Sequence, residues 1–326
     1  MSNDYMGRVS PPTDADLDAE VQADVHTFTV PSQAHAQRLD KWLAQCVPQY
    51  SRSHLQGLVE AGHVLLDGQA VASSRKLKAG QTLRVHLVPP PEQLAFQPEP
   101  MALDVVFEDA HVLVIHKPAG LVVHPAAGNW RGTLLNGLLA RDPAAAQLPR
   151  AGIIHRLDKD TSGLMVVGRT LAAVTSLVRD MAERTIRRRY LALVHGEFAS
   201  PTATFDEPIG RDPDTRVRMA VHPSGKPART DVTRVAVQAG VSAVRCALHT
   251  GRTHQIRVHL SHHGHPLVAD AVYGGKPLLG MQRQALHAVE LGLAHPVTRA
   301  PLSFHATPPA DFLAAWQHVA GEIPPV

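Results

Sequence analysis

The chain has 326 residues, of which 44% are apolar and 19% are charged, and its net charge is +3, a balance typical of a globular protein. No stretch approaches the roughly 18 consecutive apolar residues of a membrane span, and residues 1–10 lack the apolar core of a secretory signal, so we expect a cytoplasmic protein without membrane association. The two cysteines, Cys46 and Cys246, lie far apart, which argues against a disulfide framework or a zinc knuckle.

Residues 1–22 are acidic, contain proline and show no hydrophobic period, so we predict a disordered tail. The first 30 residues carry six acidic side chains and one arginine, a charge of −5, which leaves +8 on residues 31–326. A mildly basic body suits a polyanionic partner, although many enzymes are equally basic.

Residues 35–88 predict a small module of two helices and a hairpin. Apolar residues recur over 39–47 with the spacing of an amphipathic helix, and Pro48 should end it. Ser51 is a good N-cap for a second helix that stops at Gly62. The Asp67-Gly68 pair between short apolar segments predicts a hairpin, and a last strand follows at 83–88.

Three segments of this module, 38–43, 51–56 and 61–68, resemble the S-four-type RNA-binding domain. In that family the two helices present basic side chains to an RNA backbone. The resemblance therefore implies that Arg38, Lys41 and Arg52 contact RNA. The alternative is a generic helical appendage with solvated basic residues.

The proline-rich segment 89–100 predicts a stiff, extended linker, and residues 101–320 predict a second domain of mixed α and β structure. We predict strands at 105–107, 112–115, 121–123, 164–167 and 190–194, and helices at 133–139 and 170–181. The sequence contains neither GxGxxG nor a P-loop, so a nucleotide cofactor is unsupported.

The most informative segment is the charged loop 155–164, with sequence HRLDKDTSGL, which we predict to lie between strands at 152–154 and 164–167. Asp158, next to Arg156 and Lys159 in this loop, should stay ionised near neutral pH, because opposite charges favour the charged form. An ionised aspartate is a competent nucleophile. On the residues alone, a salt-bridged turn in which Asp158 caps a strand end is the favoured interpretation.

This loop closely resembles the signature loop of the RluA-type pseudouridine synthases, and the similarity extends from about residue 38 to residue 308. Other matching segments are 117–125, 189–194, 206–210, 219–228, 251–259 and 265–268. The resemblance implies that Asp158 is the catalytic nucleophile, that Tyr190 stacks on the target uracil, and that Arg257 pairs with Asp158. The alternatives are a buried strand tyrosine at 190 and, at 257, a phosphate contact or an exposed surface arginine.

The resemblance also suggests residues that bind the substrate RNA. Arg156 would enter the gap left by an extruded base, or else contact a phosphate. His155 and Lys117 lie in the matching motifs and are predicted RNA contacts. Ile256 and Leu260 either form a wall of the uracil pocket or pack in the core.

Five histidines fall within twelve residues, which raises the alternative of a metal site: His254, His259, His262, His263 and His265. No HExxH motif is present and no carboxylate lies among them before Asp270, so we predict no metal ligands. Residues 254–262 fit either a strand or a helix, and we favour the helix.

The fold we predict is α+β, with a small helical-hairpin RNA-binding module followed by a catalytic domain. The resemblance implies a mixed, largely antiparallel sheet flanked by helices, and catalysis without metal or organic cofactor. The later segments resemble the RluD branch, so the implied partner is 23S ribosomal RNA or the assembling large ribosomal subunit, bound by a monomer. The alternatives are a noncatalytic ribosome assembly factor, a related synthase acting on transfer RNA, and a metal hydrolase.

Overall fold

The computed structural model describes residues 24–126, 128–215 and 218–322, and the chain forms two compact units, 1–93 and 94–326. The tail predicted at 1–22 lies outside the described residues. The segment 89–100 is not extended throughout, because Pro91–Phe96 forms a 3-10 helix. The carbonyls of Ala95 and Gln97 accept hydrogen bonds from the Asn136 side chain, so the end of this segment packs as part of the second unit.

The first unit is a four-stranded antiparallel sheet with two helices, as far as it is described. Its elements are β1 (Asp24–Thr29), α1 (Leu39–Cys46), α2 (Arg52–Glu60), β2 (Val64–Leu66), β3 (Gln69–Ala70) and β4 (Thr82–Leu87), with strand order β1-β4-β2-β3. The structure confirms both predicted helices and the hairpin. It adds β1, which the predicted start at residue 35 omits and which pairs with β4 along its whole length.

Local signals explain the two helices of the first unit. The apolar side of α1 buries Leu39, Trp42 and Leu43 in the core of the unit. Ser51 caps α2 as predicted, because its side chain accepts a hydrogen bond from the backbone N–H of His54. The buried apolar residues of the first unit form a hydrophobic core of their own.

Asp40 is a buried carboxylate on α1 that is not among the residues predicted from the sequence to contact RNA. Its side chain has no exposed surface and accepts hydrogen bonds from Arg38 (3.0 Å), Arg52 (2.6 Å) and Gln56 (2.7 Å). The bond from Arg38 is the main cause of a pKa well below the usual range for Asp40, against the opposing effect of burial. The carboxylate therefore fixes two of the three predicted RNA contacts, while Lys41 is exposed.

We expect Asp40→Asn to destabilise the first unit by about 1–3 kcal/mol at neutral pH, because buried donors and acceptors lose their partners. The folded-state pKa of Asp40 lies below its unfolded value, so the stabilisation is complete above about pH 4 and is lost as the pH falls. The indole NMR signal of the buried Trp42 in urea titrations at about pH 7 and about pH 2.5 reports this unit within the full chain. An equal loss at both pH values would contradict the assignment.

The second unit is built on one large sheet, which has nine strands among the described residues. Its elements are β5 (Val105–Glu108), β6 (Val112–Lys117), α3 (Leu134–Arg141), β7 (Ser162–Gly168), α4 (Leu171–Ala182), β8 (Arg187–His195), β9 (Thr202–Asp206), β10 (Ile209–Arg211), β11 (Met219–Val221), β12 (Arg229–Gln238), β13 (Val241–Leu248), α5 (Gln255–His262), β14 (Leu286–Ala294), β15 (Pro301–His305) and α6 (Ala310–Ala320). The sheet order is β5-β6-β7-β14-β8-β13-β12-β9, with β15 also on β14, while β10 and β11 form a separate ribbon. Strands β7 and β14 are parallel and the other described pairs are antiparallel, which confirms the predicted mixed α+β fold.

Two of the predicted strands are wrong. Residues 121–123 form no strand. At 152–154 the chain leaves a 3-10 helix (Pro149–Gly152) in which Arg150, Ala151 and Gly152 all have positive φ, so only Ile153 pairs with β7, through a single bridge to Val167. The charged loop is therefore preceded by a tight left-handed turn, which costs backbone energy at two non-glycine residues.

The predicted helices at 133–139 and 170–181 are confirmed as α3 and α4. Each begins after a threonine, Thr133 or Thr170, whose side chain accepts a backbone N–H of the first turn. The predicted strands at 105–107, 112–115, 164–167 and 190–194 are confirmed within β5, β6, β7 and β8.

Strand β8 lies between β14 and β13 in the sheet, and its neighbouring residues pack in two different hydrophobic clusters. Tyr190 packs in the same apolar cluster as Ile256 of α5, whereas Leu191 packs in the cluster that contains Trp316 of α6. Gly163 at the start of β7 has φ +122°, and a Cβ there would lie 2.3 Å from the carbonyl oxygen of Ala288. The charged loop therefore leads directly into the centre of the sheet, on the side covered by α5.

Candidate active site

The charged loop holds Asp158 in a fixed, partly open position. Its backbone carbonyl accepts from the N–H of Thr161 at 3.1 Å, closing a turn. The next two carbonyls, of Lys159 and Asp160, accept from the backbone of Gly120 and from the guanidinium of Arg283, each at 2.9 Å. The Asp158 side chain keeps 15% exposure, so the carboxylate is anchored by its loop and still reachable.

Lys117 is one of the anchors of this loop, which corrects its prediction as an RNA contact. Its side chain is completely buried, and Nζ donates to the carbonyls of Pro118 (2.7 Å), Leu121 (2.8 Å) and Lys159 (2.9 Å). Burial lowers the pKa of Lys117 to about 7, whereas the charges of Asp160 and Asp158 act in the opposite direction. Three carbonyl acceptors require three N–H donors, so the site favours the ammonium form. With all its donors used, Lys117 has none left for RNA.

Replacing Lys117 by methionine should therefore weaken the fold rather than RNA binding. We expect Lys117→Met to cost the second unit about 3 kcal/mol, because three buried carbonyls lose their donor. Turnover should fall as the Asp158 loop loosens, while RNA affinity stays within about threefold of wild type. Urea unfolding read from Trp316, together with filter binding of RNA, separates the two effects. Unchanged stability with salt-sensitive loss of RNA affinity would instead favour a direct RNA contact.

Arg257 of α5 joins two carboxylates. Its Nη1 donates to Oδ2 of Asp158 at 2.9 Å, so the ion pair predicted from the sequence is present. Its Nε and Nη2 form a bidentate pair with Asp270 at 2.7 and 2.8 Å, and the guanidinium lies 4.9 Å from the centre of the Tyr273 ring. Burial opposes the charge, but Asp270 and Asp158 together raise the pKa of Arg257. The guanidinium therefore stays charged and directed at Asp158.

Asp270, Tyr273 and His254 complete this cluster and were missed as site residues. Asp270 is 1% exposed, and both of its oxygens are taken by Arg257. The Tyr273 hydroxyl contacts His254 Nδ1 at 2.9 Å, and His254 Nε2 lies 3.8 Å from Asp158 Oδ1. The sequence shows Asp270 only as a single acidic residue after the histidine-rich segment. Nothing in that pattern indicates that it pairs with Arg257.

Tyr190 lies on the same side of the sheet as this cluster. It is 4% exposed, and burial raises its pKa, with a further contribution from the charge of Asp158. Ile256 (3%) packs in the same apolar cluster, and its place in the wall of a uracil pocket stays a prediction. Leu260 has no exposed surface and belongs to that core, so the structure favours its packing role over substrate contact.

His155 and Arg156 of the loop differ in exposure. His155 Nε2 accepts the backbone N–H of Val166, and burial lowers its pKa to about 3, so this neutral ring supports β7. That contact gives Nε2 of His155 a structural role, while its contact with RNA stays a prediction. Arg156 is exposed; burial is the main cause of the lowered pKa values of His124 and His254, and the charge of Arg156 adds a smaller effect in the same direction.

Most of the histidine-rich segment lies in helix α5 (Gln255–His262), and its histidines contact hydroxyl, carbonyl, carboxylate and aromatic groups of the second unit. His259 bonds to the Thr230 hydroxyl, His263 stacks on Phe205 and bonds to Glu207, and His265 bonds to the carbonyl of His195. Among the described residues, no group of three or more His, Cys, Asp or Glu side chains is placed to hold a metal ion. Nor is any helix in those ranges long and apolar enough to cross a membrane.

Comparison with known proteins identifies relatives of this chain. A family described as RNA pseudouridylate synthase matches residues 111–262, and the S4 domain matches residues 37–83. A ribosomal large subunit pseudouridine synthase D from Neisseria meningitidis serogroup B is 49% identical over 297 residues, which cover 87% of this chain and 79% of that protein. The chain therefore belongs to the family of RNA pseudouridylate synthases, enzymes that isomerise uridine in RNA.

Other relatives agree with this assignment. A ribosomal large subunit pseudouridine synthase D from Nitrosomonas europaea is 46% identical over 300 residues, covering 90% of this chain and 87% of the relative. The solved structure of human RNA pseudouridylate synthase domain containing 1 is 31% identical, with a TM-score of 0.50, and covers 65% of this chain and 86% of its own.

Proposed function

We propose that this protein isomerises uridine to pseudouridine in 23S ribosomal RNA, with Asp158 as the nucleophile. The observation that carries the chemistry is the partly exposed Asp158 carboxylate, held by the buried guanidinium of Arg257 on the same side of the sheet as Tyr190. The substrate follows from the relatives, which are named for the large ribosomal subunit and match most of the chain.

The reaction needs no added reactant. Uracil is separated from its ribose, turned, and rejoined through carbon five; the proton at carbon five leaves and nitrogen one gains a proton. Asp158 opens the glycosidic bond, Arg257 orients the carboxylate, and Tyr190 stacks on the base. Ile256 lines the uracil pocket.

The second carboxylate of the cluster does not favour hydrolysis. Glycosidases that use water need two accessible carboxyl groups, one as acid and one as base or nucleophile. Both oxygens of Asp270 are bound by Arg257, and its side chain is buried. One available carboxylate suits an internal rearrangement better than the addition of water.

RNA binding is assigned to exposed cations of both units. In the second unit the exposed Arg156, two residues before Asp158, inserts where the target base leaves its stack, a step that costs a few kcal/mol. In the first unit, Lys41 together with the half-exposed Arg38 and Arg52 contacts phosphates, which makes affinity salt-dependent. We propose that the protein acts as a monomer in the cytoplasm.

Carbodiimide primer extension tests the function and its substrate. Wild-type protein and Asp158→Asn are each incubated with free 23S RNA, with immature large subunits and with transfer RNA. New stops in ribosomal RNA with wild type alone support the proposal and locate the modified uridines. Stops in transfer RNA alone would show that the protein modifies transfer RNA instead of ribosomal RNA. Tight RNA binding without new stops on any substrate would favour a noncatalytic assembly factor.

A further inference from the structure

The two oxygens of Asp158 have different surroundings. Oδ2 accepts the hydrogen bond from Arg257 at 2.9 Å, whereas Oδ1 faces Nε2 of His254 at 3.8 Å. Both side chains keep some exposure, 15% for Asp158 and 19% for His254. An imidazole is therefore the second polar group beside the reactive carboxylate, at the oxygen that Arg257 leaves open.

Tyr273 determines which nitrogen of His254 carries the proton. Its hydroxyl oxygen accepts the backbone N–H of Met219 at 3.0 Å and lies 2.9 Å from His254 Nδ1. The hydroxyl has one proton to donate, and Nδ1 is the acceptor within reach. The opposite tautomer would leave a bare Nε2 lone pair facing the Asp158 carboxylate, which is electrostatically unfavourable. Nε2 therefore carries the proton and directs it at Oδ1.

The backbone and the local charges support a neutral imidazole in this position. His254 immediately precedes α5 with φ +56°, a left-handed conformation that is uncommon for a side-chain-bearing residue and that clusters at functional sites. Burial lowers the pKa of His254, with Asp158 acting against this and Arg257 adding to it. A neutral ring at this position has one donor, and the structure aims it at the nucleophile.

We propose that His254 is a positioning residue of the isomerisation: its Nε2–H donates to Oδ1 of Asp158 while Arg257 holds Oδ2. Donors on both oxygens fix the plane of the carboxylate against the ribose. The 3.8 Å gap shortens when RNA closes the site, as catalytic hydrogen bonds commonly tighten in the substrate complex. His254 neither gains nor loses a proton in the reaction. This inference rests on the proposed function, which supplies the reaction.

Two substitutions at His254 distinguish a role as hydrogen-bond donor from a role in proton transfer. His254→Gln places an amide N–H near the position of Nε2, whereas His254→Leu has similar bulk and no donor. Losing one oriented donor at a reacting group typically lowers kcat about 100-fold or more. We expect that loss for His254→Leu with KM and RNA affinity unchanged, and a loss of no more than about fivefold in kcat for His254→Gln.

Tyr273→Phe tests the control of the tautomer. It keeps the ring next to Arg257 and removes the hydroxyl that holds Nδ1. We expect kcat to fall about tenfold in this variant, and no further loss when Tyr273→Phe is added to His254→Leu, because both changes act through one hydrogen bond. Additive losses would overturn the role of Tyr273.

The remaining outcomes decide the proposal itself. Full activity of His254→Leu would overturn it, and so would a His254→Gln protein as inactive as His254→Leu, since the imidazole would then have to transfer a proton. If wild-type protein modifies no RNA, the proposed function fails, and the donor is tested without turnover by nitrogen-15 NMR of His254. A proton on Nε2 supports the inference, and a proton on Nδ1 overturns it.

Discussion

Asp158→Asn is expected to abolish pseudouridine formation while the protein still folds and binds RNA. The asparagine keeps the size of the side chain and an oxygen that can accept from Arg257 Nη1, but it loses the negative charge that makes a nucleophile. The rate should fall at least about a thousandfold, as for other enzymes that lose their nucleophile. The measurement is single-turnover release of tritium from carbon five of labelled uridine in RNA, because that proton leaves during the reaction.

Asp160→Asn is the matched control for this experiment. It makes the same chemical change two residues along the same loop, and the contact of Asp160 with Arg283 uses the backbone carbonyl, which the substitution keeps. Its rate should fall far less than that of Asp158→Asn, because the loop keeps Lys117 as an anchor even though one of the charges that favour its ammonium form is removed. Equal losses in the two variants would show that the charge of the loop matters rather than Asp158 itself, and turnover by Asp158→Asn would remove it as the nucleophile.

The buried pair between Arg257 and Asp270 should have the largest effect on stability. Arg257 is 5% and Asp270 is 1% exposed, and both hydrogen bonds between them are shorter than 3 Å. Asp270→Asn leaves the guanidinium buried with Asp158 as its remaining anion, which should cost about 3–5 kcal/mol. Urea titration read from the indole NMR signal of Trp316 follows this unit in the full chain.

Removing both charges provides the control. The double variant Arg257→Met/Asp270→Leu replaces the pair by apolar side chains, and such exchanges are often neutral or even stabilising. We therefore expect it to lose less stability than Asp270→Asn alone, although it should be inactive. Asp158 would then lose its partner, but its 15% exposure allows water to solvate the carboxylate. A double variant less stable than the single one would mean that the pair stabilises the fold by its own attraction.

Local sequence signals predicted much of this protein correctly. The helices that follow Ser51, Thr133 and Thr170 begin where a capping side chain precedes an apolar period of 3.6 residues. The charged loop was recognised from ten consecutive residues, and Asp158 with it. These features depend on residues only a few positions apart, so a short segment of the sequence is enough to predict them.

Other features depend on residues that are distant in the sequence. Strand β1 carries a weak pattern of its own and is defined by its hydrogen bonds to β4. The segment 121–123 has strand-like composition but forms no strand. Composition can favour an extended backbone, but a strand also needs a neighbouring strand as its hydrogen-bonding partner. Lys117 is a charged residue in a motif, and only the fold shows the three carbonyls that surround it.

The sequence by itself determined the family and the α+β plan and pointed to Asp158 as the proposed nucleophile, because a motif of consecutive residues and the periods of helices and strands are local properties. Only the tertiary structure decided how the site is held. Arg257 faces Asp158 across 99 positions of chain, while Asp270 and Tyr273 reach Arg257 and His254 from a neighbouring segment. The ionic and hydrogen-bonding partners of a buried charge are selected by packing, and packing exists only once the sheet and α5 have come together.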